Sequence, residues 1–314
     1  MKIETVSSEA WNKLVAADPS ATFFQTPAWH AMASRHFGTE TLALKFSFGD
    51  VEAIIPLQRQ KKKLWSLYTS PFGTYTALVC GHKLQSTQLE QIQTHLRSLN
   101  LDLSGSPFTL NPISVGREYA ATTQVLELES ISADRLTEGW NRNHRRNLEA
   151  GREAGISIRL ADKVLDMEAY SRIYQTLAES WGDMARTIYP GRLFQMLWET
   201  LGKTSAMKVW LAECEGAMVA GRICFYHGSH VVEWHAAALD VYRQQGANHV
   251  LIHSILKDAK SAGYRIYDFN PNPNLPQVDH FKSGFGTRRL AFKSSRNSHG
   301  LYSAIEIIRG RRHG

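Results

Sequence analysis

The sequence predicts an α/β (α+β) protein in two domains, and three observations carry that prediction. The chain has 314 residues, 43% hydrophobic and 21% charged, a globular composition with room for two domains of about 150 residues. Short alternating runs and helical periodicities follow one another along its length, so strands and helices interleave. Finally, residues 42–55 are echoed at 209–223, each reading as strand, tight turn and strand. The echo points to one fold repeated by duplication.

Residues 8–17 read as a helix capped by Ser7 or Ser8. Thr26 suits an N-cap and Pro27 the first helical position, so a second helix starts there. Residues 42–48 and 51–57 alternate around Gly49-Asp50 and predict a β-hairpin. Residues 65–79 continue as strand, interrupted at 70–73. Residues 87–99 are helical, with Leu89, Ile92 and Leu96 on one face, and 122–128 alternates as a strand. The shift into Ser130-Ile131-Ser132-Ala133-Asp134 sets a boundary near residue 130, with domains at 1–130 and 131–314. A charged helix over 138–154 then ends at Gly155. Residues 156–160 form a strand, and 165–181 and 191–201 are helical. A three-stranded meander covers 208–213, 218–226 and 230–239. A polar loop over 240–246 opens a helix at 247–262, closed by Gly263, and a strand ends at Phe269.

The three cysteines, Cys80, Cys214 and Cys224, lack metal-ligand spacing and read as reduced core thiols; no metal is expected. No apolar run approaches the roughly 18 residues that span a bilayer, and residues 1–9 are polar and mixed, so a cytoplasmic protein is expected. The net charge of +7 and pI of about 9.3 suit an anionic partner. The excess concentrates in Arg142, Arg145, Arg146 and Arg152 and in Arg309, Arg311 and Arg312. Candidate partners are a phosphate-bearing cofactor, a nucleotide-linked substrate, an RNA or the inner membrane surface, the last as a peripheral contact.

The stretch richest in chemistry runs from Tyr267-Asp268-Phe269 through Asn270-Pro271-Asn272-Pro273 to His280-Phe281-Lys282-Ser283-Gly284-Phe285-Gly286. The prolines cannot continue a sheet, so a stiff polar loop follows a core strand, the usual place to build a site. A lysine between phenylalanines sits in partly apolar surroundings and acts as a strong electrostatic group. A second signal is Tyr242-Arg243-Gln244-Gln245-Gly246-Ala247-Asn248 at the start of a helix. Free N–H groups at such a terminus favour phosphate, Gly246 and Ala247 lack bulk, and Arg243 adds charge. The plain alternatives are an ordinary helix cap and an ion-paired structural lysine.

In element order, and with Arg243-x-x-Gly246-Ala247 after the meander, the chain resembles the GNAT acyltransferase fold; Asn248 stands where that family's loop has glycine or alanine. More closely it resembles the FemAB-like and BioF2-like (CelD-type) branch, whose members carry two GNAT-like domains in tandem. The segments that bear this out are 24–29, 53–57, 143–151, and 267–269 with 281–286. The resemblance implies two tandem domains with mixed, mostly antiparallel sheets flanked by helices. It also implies acyl transfer to an amine, from acyl-CoA (acetyl-CoA in the simplest case) held by Arg243, Gln244, Gln245, Gly246, Ala247 and Asn248. The setting would be cell-envelope or exopolysaccharide biosynthesis. The alternative is a FemAB-type enzyme that takes an amino acid from aminoacyl-tRNA to a peptidoglycan precursor. The lack of a long heptad arm tilts the reading towards acyl-CoA.

The resemblance places Phe281 and Lys282 at the reaction centre, with the Lys282 ammonium stabilising the oxyanion of the tetrahedral intermediate. Glu233 and His235 fall on the third meander strand, share a face by alternation, and either could act as general base; His235 has the better-matched ordinary pKa. Asp268 could orient Lys282 or the acceptor amine. Asn270 and Asn272 border the expected cleft, and Arg145 and Arg146 could receive a phosphorylated acceptor or tRNA. Two readings from other classes compete. A nucleic-acid-binding module predicts basics and aromatics interleaved on one sheet face, whereas here the basics lie on helices and the tail. A non-catalytic GNAT-fold scaffold predicts loss of Lys282 and Gly246. A serine hydrolase has no nucleophile elbow to support it.

Overall fold

The structure is a computed structural model that describes residues 1–179, 188–272 and 275–300. The last two residues of the helix expected over 165–181, with Pro273, Arg309, Arg311 and Arg312, lie outside the described residues. The described residues pack as two compact units, residues 1–122 with 291–300, and residues 123–290.

In unit 1, β1 (Lys2–Thr5) leads to α1 (Ser8–Ala17), capped by the Ser7 hydroxyl, and α2 (Pro27–Phe37) starts behind Thr26, whose hydroxyl accepts from Trp29 N. The hairpin of β2 (Glu40–Phe48) and β3 (Val51–Lys61) is the longest antiparallel pair of the unit. β4 (Ser66–Thr69), α3 (Ser86–Leu96), β5 (Asn100–Leu103) and β6 (Arg117–Glu127) follow. Strand pairing runs β1, β2, β3, β4 antiparallel, then β4 to β5 parallel. From residue 291 onward β12 (Arg288–Asn297) belongs to this unit, pairing antiparallel with β5. The expected strand over 65–79 stops at Thr69, since Pro71 removes a donor and Phe72 and Gly73 turn with positive φ; only Val79 regains a bridge, to Ile54.

Unit 2 holds α4 (Arg142–Glu153), β7 (Ser157–Leu160), α5 (Val164–Glu179), α6 (Gly191–Leu201), β8 (Met207–Cys214), β9 (Ala217–His227), β10 (His230–Ala238), α7 (Asp240–Gln244), α8 (Ala247–Ser261), β11 (Ile266–Asp268) and α9 (Pro276–Ser283). Its strands pair β7, β8, β9, β10 antiparallel, β10 to β11 parallel, and β11 to the end of β6 antiparallel. The core of α8 and the sheet is apolar, with Leu251, Ile252, Ile255 and Leu256 inaccessible to solvent. All three cysteines are buried free thiols.

Two expectations need correcting. The charged helix begins at Arg142, because Asn141 accepts from His144 N and so caps the helix there. The polar loop over 240–246 is mostly helical: Gln245 N and Gly246 N donate to Val241 O and Arg243 O.

Candidate active site

β11 ends at Asp268, which is fully buried. Its Oδ1 accepts from Thr123 Oγ1 at 2.5 Å and from Asn270 N at 2.9 Å. The second bond closes a tight turn that holds Asn270 at a φ of 59°, a conformation asparagine tolerates better than most residues. The turn aims Asn270 O at Lys282 Nζ, 2.6 Å away, and the Asn272 side chain accepts from the same ammonium. Lys282 comes from α9, whose first residue, Pro276, has no N–H to lose. The side chain is 6% exposed. Burial pushes its ammonium down to about 8, against the pull of Glu233 and Asp268. The turn after β11 thus places Asp268, Asn270, Asn272 and Lys282 near one another.

Two residues without an assigned role in the sequence analysis, Asn141 and His144, hold α9 in place. His144 Nε2 donates to Phe281 O at 2.8 Å, and Asn141 N donates to Gly284 O at 2.8 Å. The amino end of α4 therefore receives the carbonyl end of α9, which suits both helix dipoles. Gly284 permits the approach, since a Cβ there would come within 2.4 Å of the His144 ring. Phe285 anchors the segment in the core against Trp140, with ring centroids 4.8 Å apart. Phe281 lies between His144 and His249. The glycines of Phe281-Lys282-Ser283-Gly284-Phe285-Gly286 were the available signal, because closely spaced glycines beside a buried aromatic mark backbone crowding.

Glu233 and His235 do not share a face. A bulge between them pairs Glu233 with Cys224 and His235 with Ile223, consecutive residues of β9, so the two side chains diverge. Glu233 faces α8, buried in an ion pair with Arg222, and accepts from Tyr267 OH at 2.5 Å. Arg222 Nη2 also donates to Asn248 Oδ1 at 3.0 Å. His235 faces α5 and α6 instead. It is ringed by Tyr174, Phe194 and Trp234, its Nδ1 is 2.5 Å from Tyr170 OH, and burial pushes its pKa down to about 3. The ring is neutral at ordinary pH.

The segment 243–248 has a local explanation of its own. Arg243 pairs with Asp240 at the surface, and Gln244 and Gln245 are exposed. Gly246 has a φ of 90°, and a Cβ there would lie 2.0 Å from Asn147 O. Across the same crossing, Gly151 meets Val250 and Gly246 O. Gly246 is needed where α4 and α8 approach, and Ala247 is buried in that contact. On α4, Arg145 donates to the carbonyls of Trp140 and Glu138, while Arg146 is exposed. Among the described residues no group of His, Cys, Asp and Glu side chains is placed to hold a metal, and no helix is long and apolar enough to cross a membrane.

The sequence matches the family described as Acetyltransferase (GNAT) domain over residues 140–283, which contains β8 to β11, α8 and Lys282. A search of curated proteins finds no match. Among solved structures, FemX is similar over 98% of this chain and 99% of its own, with a TM-score of 0.71 and 12% identity. A tandem GNAT protein from the clavulanic acid biosynthesis pathway is similar over 95% and 99%, with a TM-score of 0.50 and 12% identity. L-PGS from Bacillus licheniformis is similar over 90% and 95%, with a TM-score of 0.50 and 10% identity. At such identities the structures speak for the fold, and the domain match speaks for the second unit. Residues 140–283 thus match the GNAT acetyltransferase domain model, and the fold of the chain is like that of FemX.

Proposed function

We propose that this protein transfers an acyl group, aminoacyl groups included, from an activated carrier to an amine, with Lys282 facing the oxygen that becomes anionic. The observation that carries the reading is the setting of the ammonium: buried, held by Asn270 O and Asn272, and titrating near 8. A cation so poorly solvated gains most when a negative oxygen arrives, so its stabilisation falls on the transition state. The amine nitrogen attacks the carbonyl carbon, and the C=O electron pair moves to oxygen beside Lys282. Collapse re-forms the C=O and breaks the bond to the carrier's sulfur or oxygen, which leaves with the proton that the amine gives up. Asn270 and Asn272 are assigned to the acceptor amine, Phe281 to the apolar wall, and Asp268 to holding the loop. Glu233, engaged with Arg222 and Tyr267, supplies negative potential rather than a free base. Arg146 is assigned to a phosphorylated part of the acceptor.

Acyl-CoA held at residues 243–248 is the donor that the domain match supports. One observation favours the second reading, an aminoacyl-tRNA donor and an envelope-precursor acceptor. Gly246 packs on Asn147 O, and the N–H groups of Gln245 and Gly246 are engaged within α7, so the loop offers a pyrophosphate little. Lys282→Ala is expected to slow single-turnover aminoacyl transfer by on the order of a hundredfold or more. Undiminished transfer by that variant removes Lys282 from the chemistry. A saturable rise in melting temperature with acetyl-CoA would return the donor to coenzyme A.

A further inference from the structure

Unit 2 holds a cavity of about 320 Å³, at the small end of the volumes that take small molecules. It lies between the last residues of β6, the segment that leads into α4, and the start of β12. None of its lining residues bonds to Lys282. Four charged side chains stand round it in two ion pairs, Arg288 with Glu127 and Arg135 with Glu138. Arg288 donates Nε, at 2.9 Å, and Nη2 to one oxygen of Glu127, Oε1. Arg135 donates Nε to Oε1 of Glu138. Among the described residues, the second oxygen of each carboxylate, Arg288 Nη1 and both Nη atoms of Arg135 make no hydrogen bond. Pairs this open to water contribute at most about 1 kcal/mol, so folding does not account for four charges gathered at one cavity. A second observation concerns two glycines in the lining. Gly286 is a steric need, since a Cβ there would lie 2.5 Å from Gly139 O. Gly139 is not: a Cβ there would meet nothing nearer than 3.8 Å, and its φ is not left-handed. Its missing side chain leaves cavity space open. Val125 and Ile131 supply apolar wall.

We propose that this cavity binds a free α-amino acid with an apolar side chain. The carboxylate accepts from the unused nitrogens of Arg135 and Arg288, the ammonium donates to the unused oxygens of Glu127 and Glu138, and the side chain rests on Val125 and Ile131. The balance of charge selects the class. Two guanidinium and two carboxylate groups cancel, so phosphate meets as much repulsion as attraction, and so does a simple cation. A zwitterion satisfies both signs at once, through charge-assisted hydrogen bonds at each end. Binding here does not depend on the role of Lys282.

The test is calorimetric titration of the full chain with L-leucine, and with N-acetyl-L-leucine and L-leucinamide, which lack one charge each. We expect saturable binding of L-leucine and binding about tenfold weaker, or less, for either blocked form. Gly139→Leu should abolish binding with the melting curve unchanged. Glu127→Gln with Glu138→Gln should weaken L-leucine binding about tenfold. Lys282→Ala should bind L-leucine like the parent. Absence of saturable L-leucine binding, or equal binding of the blocked forms, overturns the proposal. So does parent-like binding by the Gly139→Leu or the double glutamine protein. Loss of binding in Lys282→Ala overturns it as well, because the amino acid would then sit at the reaction centre.

Discussion

The two units repeat one strand order and fill its centre with different chemistry. In each, four antiparallel strands are followed by one parallel neighbour and one antiparallel closing strand. Register aligns them. Thr69 pairs with Gln58 and Asp102, and Val232 pairs with Phe225 and Asp268. Three residues earlier on the hairpin strand, unit 1 has Ile55 where unit 2 has Arg222, both buried. Asp102 is half-exposed and pairs with Arg296 at the surface, whereas Asp268 is fully buried beneath the loop that holds Lys282. Unit 1 keeps its centre neutral: Gln58 donates to His30 O at 2.9 Å and accepts from Thr39, beside a cavity of about 450 Å³. Unit 2 buries Arg222, Glu233, Asp268 and Lys282. A fold stable with isoleucine at the Arg222 position has no structural need of a guanidinium there, so the charges of unit 2 are best understood as a functional load on a common frame.

The largest expected effect breaks that load. Arg222→Met leaves Glu233 buried and unpaired and should cost unit 2 about 3–5 kcal/mol, read by hydrogen exchange on β9 and β10 under urea. Arg296→Met, the counterpart at the half-exposed pair of unit 1, should cost at most about 1 kcal/mol. Equal losses would mean that the two centres are energetically alike.

A smaller effect sharpens the comparison through pH. Lys282 titrates near 8 when folded against an ordinary 10.5, so between those values the unfolded chain binds more protons. Stability therefore rises with pH across that window, and below about 8 the buried charge opposes folding. Lys282→Met should lose this slope and be about 1–3 kcal/mol more stable than the parent at neutral pH, the signature of a residue retained for chemistry. A variant with the parent's slope would assign the titration to another group.

The smallest effect concerns position. His144→Ala should remove the bond to Phe281 O, costing about 1 kcal/mol, and should lower turnover about tenfold by loosening α9. His144→Gln, whose amide can donate to the same carbonyl, should restore most of the turnover. Loss of stability with turnover intact would leave His144 a purely structural clamp.

Much of this was legible because local chemistry decided it. Thr26-Pro27 starts α2, Gly49-Asp50 turns the first hairpin, and Gly155 and Gly263 follow α4 and α8 at positive φ. The site loop was legible as well, since prolines beside a core strand leave few conformations. The bulge at Trp234 was not, because Val231-Val232-Glu233-Trp234-His235 alternates without a Gly or Pro to mark an extra residue. β5 has four residues, and β12 reads Arg-Arg-Leu-Ala-Phe-Lys-Ser-Ser-Arg-Asn, so each depends on pairing rather than on its own pattern. The helix α7 was hidden by polar residues, and the meaning of Gly246 depended on a helix a hundred residues earlier in the chain.

The closing strand of each unit also sets a timetable. Unit 2 takes its last position from β6, made before the rest of it, and holds all its strands once β11 has emerged. Unit 1 takes its last position from β12, which the ribosome delivers about 170 residues after unit 1 is otherwise written, a wait on the order of ten seconds. Throughout that interval β5 offers an open edge to any passing strand. The part of the chain made first is thus finished last, and a newborn molecule is most exposed to mispairing at Asn100–Leu103.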